Sequence, residues 1–261
     1  MSLPGRPKGE YRSPQGEGCL IDATAAPLRP ISGFEATAFA WRGDDIVWTG
    51  EHGSIDHPRQ ARRPWQAPPL VCDPPRLRAG AQQCLALIGP QFSIPPRGLL
   101  AWLTGLALEF PWQGAVPRFD TLRHALARKD LPAFEAAAIR VLGLGPGLTP
   151  SGDDLLGGVF FILAHSPRQA WVKALPAVHA KLRVECATAT NVISAALLSD
   201  LMDGCGYRVL HDFVAALDGG QAPDIRAAAA ALLRLGASSG ADLMAGVLLA
   251  LAPQSSPHRP A

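Results

Sequence analysis

Two segments of the chain share one pattern, in which a polar turn leads directly into an apolar run. SGDDLLGG (151–158) aligns with SGADLMAG (239–246), so both contain Ser-Gly-x-Asp, two large apolar residues and a later glycine. Each apolar run is too short to cross a membrane, which takes about 20 apolar residues. We therefore expect two helices buried on all sides, with Gly158 and Gly246 permitting close packing between them. Their two entry loops are expected to face each other across one pocket.

The residues of both entry loops are typical of an anion site. A Ser-Gly pair before a helix leaves up to four amides unpaired at the positive end of the helix dipole. Glycines in the first loop permit positive φ values, so that consecutive amides form a concave nest, and hydroxyls add donors. The candidate anion-binding residues are Gly145, Gly147, Thr149, Ser151 and Gly152 in the first loop and Ser238, Ser239 and Gly240 in the second. A tight connection without a ligand is the alternative, because glycine-rich turns are common.

Aspartates follow the Ser-Gly pair in both copies. A first-turn acid most often caps its helix. Asp154 and Asp242 occupy the same position in the two copies, so capping and ligand contact both stay open for them. Asp153 is matched by Ala241 in the second copy. We therefore predict that Asp153 is the freestanding carboxylate and the catalytic candidate, binding a substrate amide or, as a possible cofactor, Mg²⁺.

A third polar segment, ECATATNVISAALLSD (185–200), places hydroxyl and amide side chains at a spacing of three. Thr188, Asn191 and Ser194 would share one helical face and line the pocket. The alternative is more frequent in proteins: Thr188 or Asn191 caps the helix, and Ser194 bonds back to the previous turn. Both interpretations stay open at this point.

The chain changes character near residue 118. Before it, prolines and glycines are frequent, and FEATAFAWRG (34–43) and DDIVWTGEHG (44–53) alternate apolar with polar residues around an RGDD turn, which predicts a hairpin. After it, caps, first-turn prolines and apolar residues at helical spacing predict successive helices. The sequence therefore predicts the α+β class. A strand-rich N-terminal domain with a flexible start would cover residues 1–118, and a helical domain carrying both loops would cover 119–261.

Charge, motifs and cysteines disfavour several classes of protein. With 24 Lys and Arg against 22 Asp and Glu, the basic excess is too small to predict a nucleic-acid partner. The chain contains no HExxH, GxSxG or GxxxxGK[ST] motif. Its five scattered cysteines lack CxxC spacing, which favours reduced, packed thiols over a zinc site. The N-terminus has no apolar signal-peptide core, so we expect a cytoplasmic protein without a membrane anchor.

The first loop, GLGPGLTPSGDDLLGG (143–158), resembles the signature of a bacterial family long labelled as a domain of unknown function. One branch of that family is a subunit of the oxamate carbamoyltransferase of anaerobic allantoin breakdown. GPQFSI (89–94), the TxTNxxS segment (188–194) and LGASSGADLMAG (235–246) occur in the expected order. The similarity therefore covers most of the chain from about Phe34 onward.

This resemblance implies a multi-subunit enzyme that exchanges a carbamoyl group between oxalurate and phosphate, yielding oxamate and carbamoyl phosphate. We accordingly expect a carbamoyltransferase, or one of its subunits, that acts with partner subunits on a small anionic substrate. The first loop would hold phosphate or carbamoyl phosphate, the second the substrate carboxylate, and Asp153 would orient an amide nitrogen. A non-catalytic anion-binding or scaffolding subunit and a Mg-nucleotide phosphotransferase are the alternatives. Ala237 stands where the family pattern has a histidine, so proton transfer by that imidazole is in doubt here.

Overall fold

A small antiparallel sheet lies near the start of the chain. The structure is a computed structural model that describes residues 26–34, 37–49, 56–61, 64–89, 94–108, 112–166 and 170–252. Strands β1 (Leu28–Pro30), β2 (Phe39–Arg42) and β3 (Asp45–Trp48) pair in the order β1-β2-β3. Phe39 pairs with Trp48 and Arg42 with Asp45, which confirms the predicted hairpin. The predicted flexible start and residues 90–93 of GPQFSI lie outside the described residues.

Helices make up most of the rest of the described chain. They are α1 (Pro74–Ala86), α2 (Leu99–Leu103), α3 (Val116–Arg128), α4 (Leu131–Val141), α5 (Ser151–Ala164), α6 (Leu175–Ala189), α7 (Val192–Met202), α8 (Arg208–Gly219), α9 (Ala222–Leu232) and α10 (Ser239–Leu251), with two short 3-10 helices, Trp112–Ala115 and Ala170–Ala174. The α+β class is confirmed. No described helix has the length and apolar character that a membrane span requires.

Strands occupy less of the N-terminal part than the sequence suggested, because α1 and α2 lie in it. Two prolines begin α1, where a missing amide hydrogen costs no helical hydrogen bond. One buried cluster contains Ile46 of β3, Leu77 of α1 and Phe160 of α5. The proposed domain boundary at residue 118 stays a prediction.

Helices α5 and α10 pack against each other in the buried part of the molecule. The residues from Ser151 to Leu163 are buried, and so are those from Gly240 to Leu249. A Cβ atom on Gly158 would lie 2.2 Å from the carbonyl oxygen of Leu243, and one on Gly246 would lie 2.1 Å from that of Leu155. The backbones therefore touch where only glycine fits. The predicted close packing is confirmed.

The described cysteines differ in state. Cys72, Cys84 and Cys186 are free thiols, whereas Cys205 is disulfide-bonded, so the expectation of reduced thiols throughout is wrong at Cys205. Burial raises the pKa of Cys84 to about 12. Burial, followed by the charge of Asp153, raises the pKa of Cys186 to about 11. Both thiols therefore stay protonated at neutral pH.

Gly158→Ala is expected to lower the free energy of unfolding by at least about 2 kcal/mol, since the new methyl group can be accommodated only by moving two helix backbones apart. Urea unfolding followed by circular dichroism measures the loss. Gly219→Ala is the matched control, because a Cβ atom there meets nothing within 4 Å. Equal unfolding midpoints for Gly158→Ala and the wild type would show that the two backbones do not touch.

Candidate functional site

The loops that precede α5 and α10 converge. The hydroxyls of Thr149 and Ser239 form a hydrogen bond of 2.8 Å across the two copies. The Ser239 hydroxyl also interacts with Asp154 of the first copy, and the Ser151 hydroxyl interacts with Asp242 of the second. The serine hydroxyl of each copy therefore lies close to the aspartate carboxyl group of the other copy. This reciprocal contact confirms that the two loops face each other.

A pocket of about 330 Å³ opens between the two loops. Pockets for small molecules occupy roughly 300–1,000 Å³, so this one suits a small ligand. Its walls are Pro146, Gly147, Leu148 and Thr149 of the first loop, Leu235, Gly236, Ala237, Ser238 and Ser239 of the second, Phe39 and Trp48 of the hairpin, and His57, Arg59, Leu197 and Tyr207. The lining is mostly apolar, with a few hydroxyl, imidazole and guanidinium groups.

Four of the predicted anion-binding residues line this pocket: Gly147, Thr149, Ser238 and Ser239. Gly145 and Gly147 have φ values of 124° and 98°, as the nest requires. Gly145 nevertheless packs elsewhere, because a Cβ atom there would lie 2.4 Å from the ring of Trp112. The pocket therefore takes its donors from the residues just before each helix and from Ser239, the first residue of α10.

The amides of the second, third and fourth residues of both helices donate to the protein's own carbonyls. Gly152 N donates to Leu144 O at 2.8 Å, and Gly240 N donates to Leu235 O at 3.0 Å. The next two amides in each helix, those of Asp153, Asp154, Ala241 and Asp242, donate to the carbonyls of Pro150 and Ser238. The prediction that Gly152 and Gly240 bind an anion through free amides is therefore wrong.

Gly152 and Gly240 serve close packing instead. A Cβ atom on Gly152 would lie 2.0 Å from Val141 O, and one on Gly240 would lie 1.8 Å from Leu232 O. Each carbonyl belongs to the helix that precedes the loop. The Ser-Gly pair of each copy thus lets the chain turn tightly from one helix into the next.

Asp153 is buried and fully engaged, so the expectation of a freestanding carboxylate is wrong. Its Oδ1 accepts from Gly143 N at 2.7 Å. Its Oδ2 accepts from the hydroxyls of Thr190 and Ser194, the latter at 2.7 Å. Burial raises the pKa of Asp153, and these three hydrogen bonds oppose that rise. The carboxylate ties the first loop to the start of α7, and its catalytic assignment stays a prediction without geometric support.

The segment before α7 supports the first loop and does not line the pocket. Asn191 caps α7, accepting from the amides of Ile193 and Ser194 at 3.0 Å, and its Nδ2 donates to Leu148 O at 2.9 Å. Thr188 is exposed, and its hydroxyl donates to Glu185 O at 3.3 Å. The pocket role predicted for Thr188, Asn191 and Ser194 is therefore wrong. Asn191 and Ser194 instead hold the first loop, through Leu148 O and the Asp153 carboxylate.

Asp154 and Asp242 lie buried behind the pocket. Asp242 Oδ1 accepts from Leu99 N at 2.6 Å and so caps α2. Burial raises the pKa of Asp242 to about 6. Burial and then the nearby Asp242 charge raise the pKa of Asp154 well above its usual range. Within the described chain, the Oδ2 atom of each residue has no hydrogen-bond partner.

Three pocket residues escaped the sequence analysis as functional candidates. His57 is buried, its Nδ1 accepts from Arg59 N at 3.1 Å, and its Nε2 has no partner in the described part of the chain. Burial and then the Arg59 charge lower the pKa of His57 to about 3, so the ring is neutral and Nε2 carries the hydrogen. Arg59 pairs with Asp200, with 2.6 Å between Nη2 and Oδ1. Tyr207 packs against the His57 ring at 4.8 Å. No motif marks these residues.

The described residues contain no group of three or more His, Cys, Asp or Glu side chains that could hold a metal ion. The Asp153 oxygens on which the Mg²⁺ expectation depended accept three hydrogen bonds from the protein. The geometry therefore gives no support to a magnesium ion at Asp153.

Asp153→Ala is expected to destabilise the protein by on the order of 3 kcal/mol, because one buried and two half-buried donors lose their acceptor. Chemical denaturation at pH 7 measures this loss. Asp224→Ala is the control, since Asp224 also lies in the first turn of a helix but is exposed. Its loss should stay within about 1 kcal/mol, the contribution of the helix dipole. Equal losses of unfolding free energy in the two variants would show that Asp153 contributes only through its interaction with the helix dipole.

Comparison with known proteins gives one match. No curated protein and no solved structure matches the chain. A family model described as oxamate carbamoyltransferase subunit AllH matches residues 141–251, which include both loops. The extension of the similarity from Phe34 to residue 140 stays a prediction. Over residues 141–251 the chain therefore matches the family of the oxamate carbamoyltransferase subunit AllH, as the resemblance of the first loop predicted.

Proposed function

We propose that the chain is a carbamoyltransferase-type subunit whose pocket binds a small anionic substrate of the oxalurate or oxamate type, with phosphate or carbamoyl phosphate beside it. The observation that carries this proposal is the opening of both copies of the repeated loop into one pocket. The family match covers both loops, and the subunit named by that family belongs to an oxamate carbamoyltransferase. The proposed setting is allantoin degradation in the cytoplasm, together with partner subunits.

Donors on the pocket wall suit an oxyanion. The hydroxyls of Thr149 and Ser239 lie on the wall, and the amides of Gly147 and Ser238 have no acceptor within the part of the chain that the structure describes. Carbamoyl transfer passes through a tetrahedral species with negative charge on oxygen, and donors fixed in a partly desolvated pocket stabilise such charge. These four residues replace the first-turn amides as the proposed anion contacts.

The pocket offers a few hydrogen-bond donors rather than net positive charge. Arg59 contributes a guanidinium group to the wall, but the Asp200 carboxylate pairs with it. His57 is neutral and carries a buried N–H group. An anion would therefore be held by the hydrogen-bond donors of the two loops. Such a site favours small ligands rich in acceptor oxygens.

A non-catalytic anion-binding or scaffolding subunit is the second candidate. Two observations favour it: the Asp153 carboxylate is fully engaged, and Ala237 places a methyl group on the pocket wall. Catalytic groups would then come from a partner subunit. Nothing in the described chain favours the Mg-nucleotide phosphotransferase.

Thr149→Val is expected to weaken binding about 10- to 100-fold, because it removes a donor to a charged ligand while keeping the side-chain shape. Calorimetric titration of the purified chain with phosphate, carbamoyl phosphate, oxamate and oxalurate measures the effect. Thr104→Val is the matched control, since the Thr104 hydroxyl donates only to its own helix, to Leu100 O and Ala101 O at 3.0 Å. If the wild type binds none of the four compounds, the proposed function is wrong.

Turnover separates the two candidate functions. In the assembled enzyme with its partner subunits, an active site in this chain predicts that Thr149→Val lowers kcat for oxamate formation from oxalurate and phosphate. A scaffolding subunit predicts unchanged kcat while the assembly stays intact. Gel filtration of the assembly is the control for loss of subunits.

A further inference from the structure

Asp154 and Asp242 occupy equivalent positions one helical turn before the glycines at which α5 and α10 touch. Residues four apart lie on the same face of a helix, so both carboxyl groups point towards the neighbouring helix. Asp154 is 5% exposed and Asp242 is fully buried at 0%. The two helices touch one turn later at these glycines, and the Thr149 and Ser239 hydroxyls form a hydrogen bond where the helices begin. The two carboxyl groups therefore form a buried pair where the two helices begin.

Known contacts leave one oxygen unsatisfied on each side of this pair. Asp242 Oδ1 accepts from Leu99 N at 2.6 Å, and the hydroxyls of Ser239 and Thr149 interact with Asp154. The Oδ2 atoms of both residues have no partner within the described residues. Two neighbouring desolvated negative charges would repel each other strongly, whereas one proton between two carboxyl groups removes the repulsion and provides a donor.

We infer that Asp154 and Asp242 share one proton, and that the hydroxyls of Ser239 and Thr149 connect this pair to the pocket. A hydrogen bond between the two carboxyl groups accounts for both unsatisfied oxygens at once. The first part stands on the described geometry alone, and the connection to the pocket rests on the proposed function.

The Leu99 amide donates to Asp242 Oδ1 and so favours the ionised form of Asp242, which leaves the proton to Asp154. Asp153 lies beside Asp154 on α5, and its charge opposes ionisation of Asp154. Tyr207, before α8, lies on the pocket wall, and burial and then the Asp154 charge raise the pKa of its hydroxyl. Arg97, before α2, and the Leu99 amide favour the ionised form of Asp242. At neutral pH the pair is therefore a protonated Asp154 beside an ionised Asp242.

In the proposed reaction, such a pair can act as a proton relay. A carbamoyl C–O bond forms to hydrogenphosphate while the C–N bond to the oxamate nitrogen breaks. The departing nitrogen gains one proton and the phosphate hydroxyl loses one. Asp154 would supply the first through the Ser239 hydroxyl, and the pair would recover the second, so that it ends each turnover unchanged.

Infrared spectroscopy of the ligand-free chain tests the shared proton. We expect a protonated-carboxyl C=O band at pH 7 that Asp154→Asn removes and Asp153→Asn retains. Asp153→Asn is the matched control because it alters the adjacent carboxyl group in the same helical turn. A wild-type spectrum without the band, or a band lost in Asp153→Asn and kept in Asp154→Asn, overturns the inference. Loss of the band on adding MgCl₂ also overturns it, since the pair would then hold a cation.

A second measurement does not depend on folding of the variants. In wild-type protein labelled with ¹³C at the aspartate carboxyl carbons, we expect one carboxyl resonance still protonated at pH 7 and a second that titrates with it. Independent titration of all the aspartates below pH 5 overturns the shared proton.

Adding carbamoyl phosphate to the wild type tests the connection to the pocket. We expect the protonated-carboxyl band to shift on binding. Binding without a shift overturns the connection and leaves the proposed function standing. Absence of binding overturns the proposed function and the connection together, while the band of the ligand-free protein still supports the shared proton.

Discussion

Contact between two helix backbones at Gly158 and Gly246 sets the geometry on which the rest of the site depends. Because neither residue has a side chain, α5 and α10 approach until each glycine meets a carbonyl group of the other helix. This approach brings the preceding loops together, so Thr149 reaches Ser239. A wider separation of α5 and α10 would break the hydrogen bond between the two hydroxyls, move the two carboxyl groups apart and open the pocket between the loops. The packing of the two glycines in the core thus determines where the two loops meet at the pocket.

The helix beginnings are filled by the protein rather than left open to a ligand. Carbonyls of Pro150 and Ser238 each accept from two first-turn amides, and Asp154 and Asp242 bring carboxyl groups to the positive ends of the two dipoles. Ligand contacts therefore move to the loop residues just before each helix. The site differs in this respect from a phosphate loop, in which the first-turn amides themselves bind the anion.

Local signals in the sequence predicted the parts of the molecule that local rules govern. The repeated Ser-Gly-x-Asp pattern predicted two buried helices with facing loops, and the RGDD turn predicted the hairpin. The role of Asp153 could not be read in this way, since its partners Thr190 and Ser194 come from a distant segment. Nor could His57 be assigned to the pocket, because its position depends on how the N-terminal segment packs over both loops.

If the two loops form one binding site, both contact the same ligand. Backbone amide resonances of the wild-type protein, recorded during titration with carbamoyl phosphate, measure this directly. We predict that resonances from residues 146–149 and from residues 236–239 shift together and give one common Kd. Shifts confined to one loop, or two different Kd values, would contradict a shared pocket.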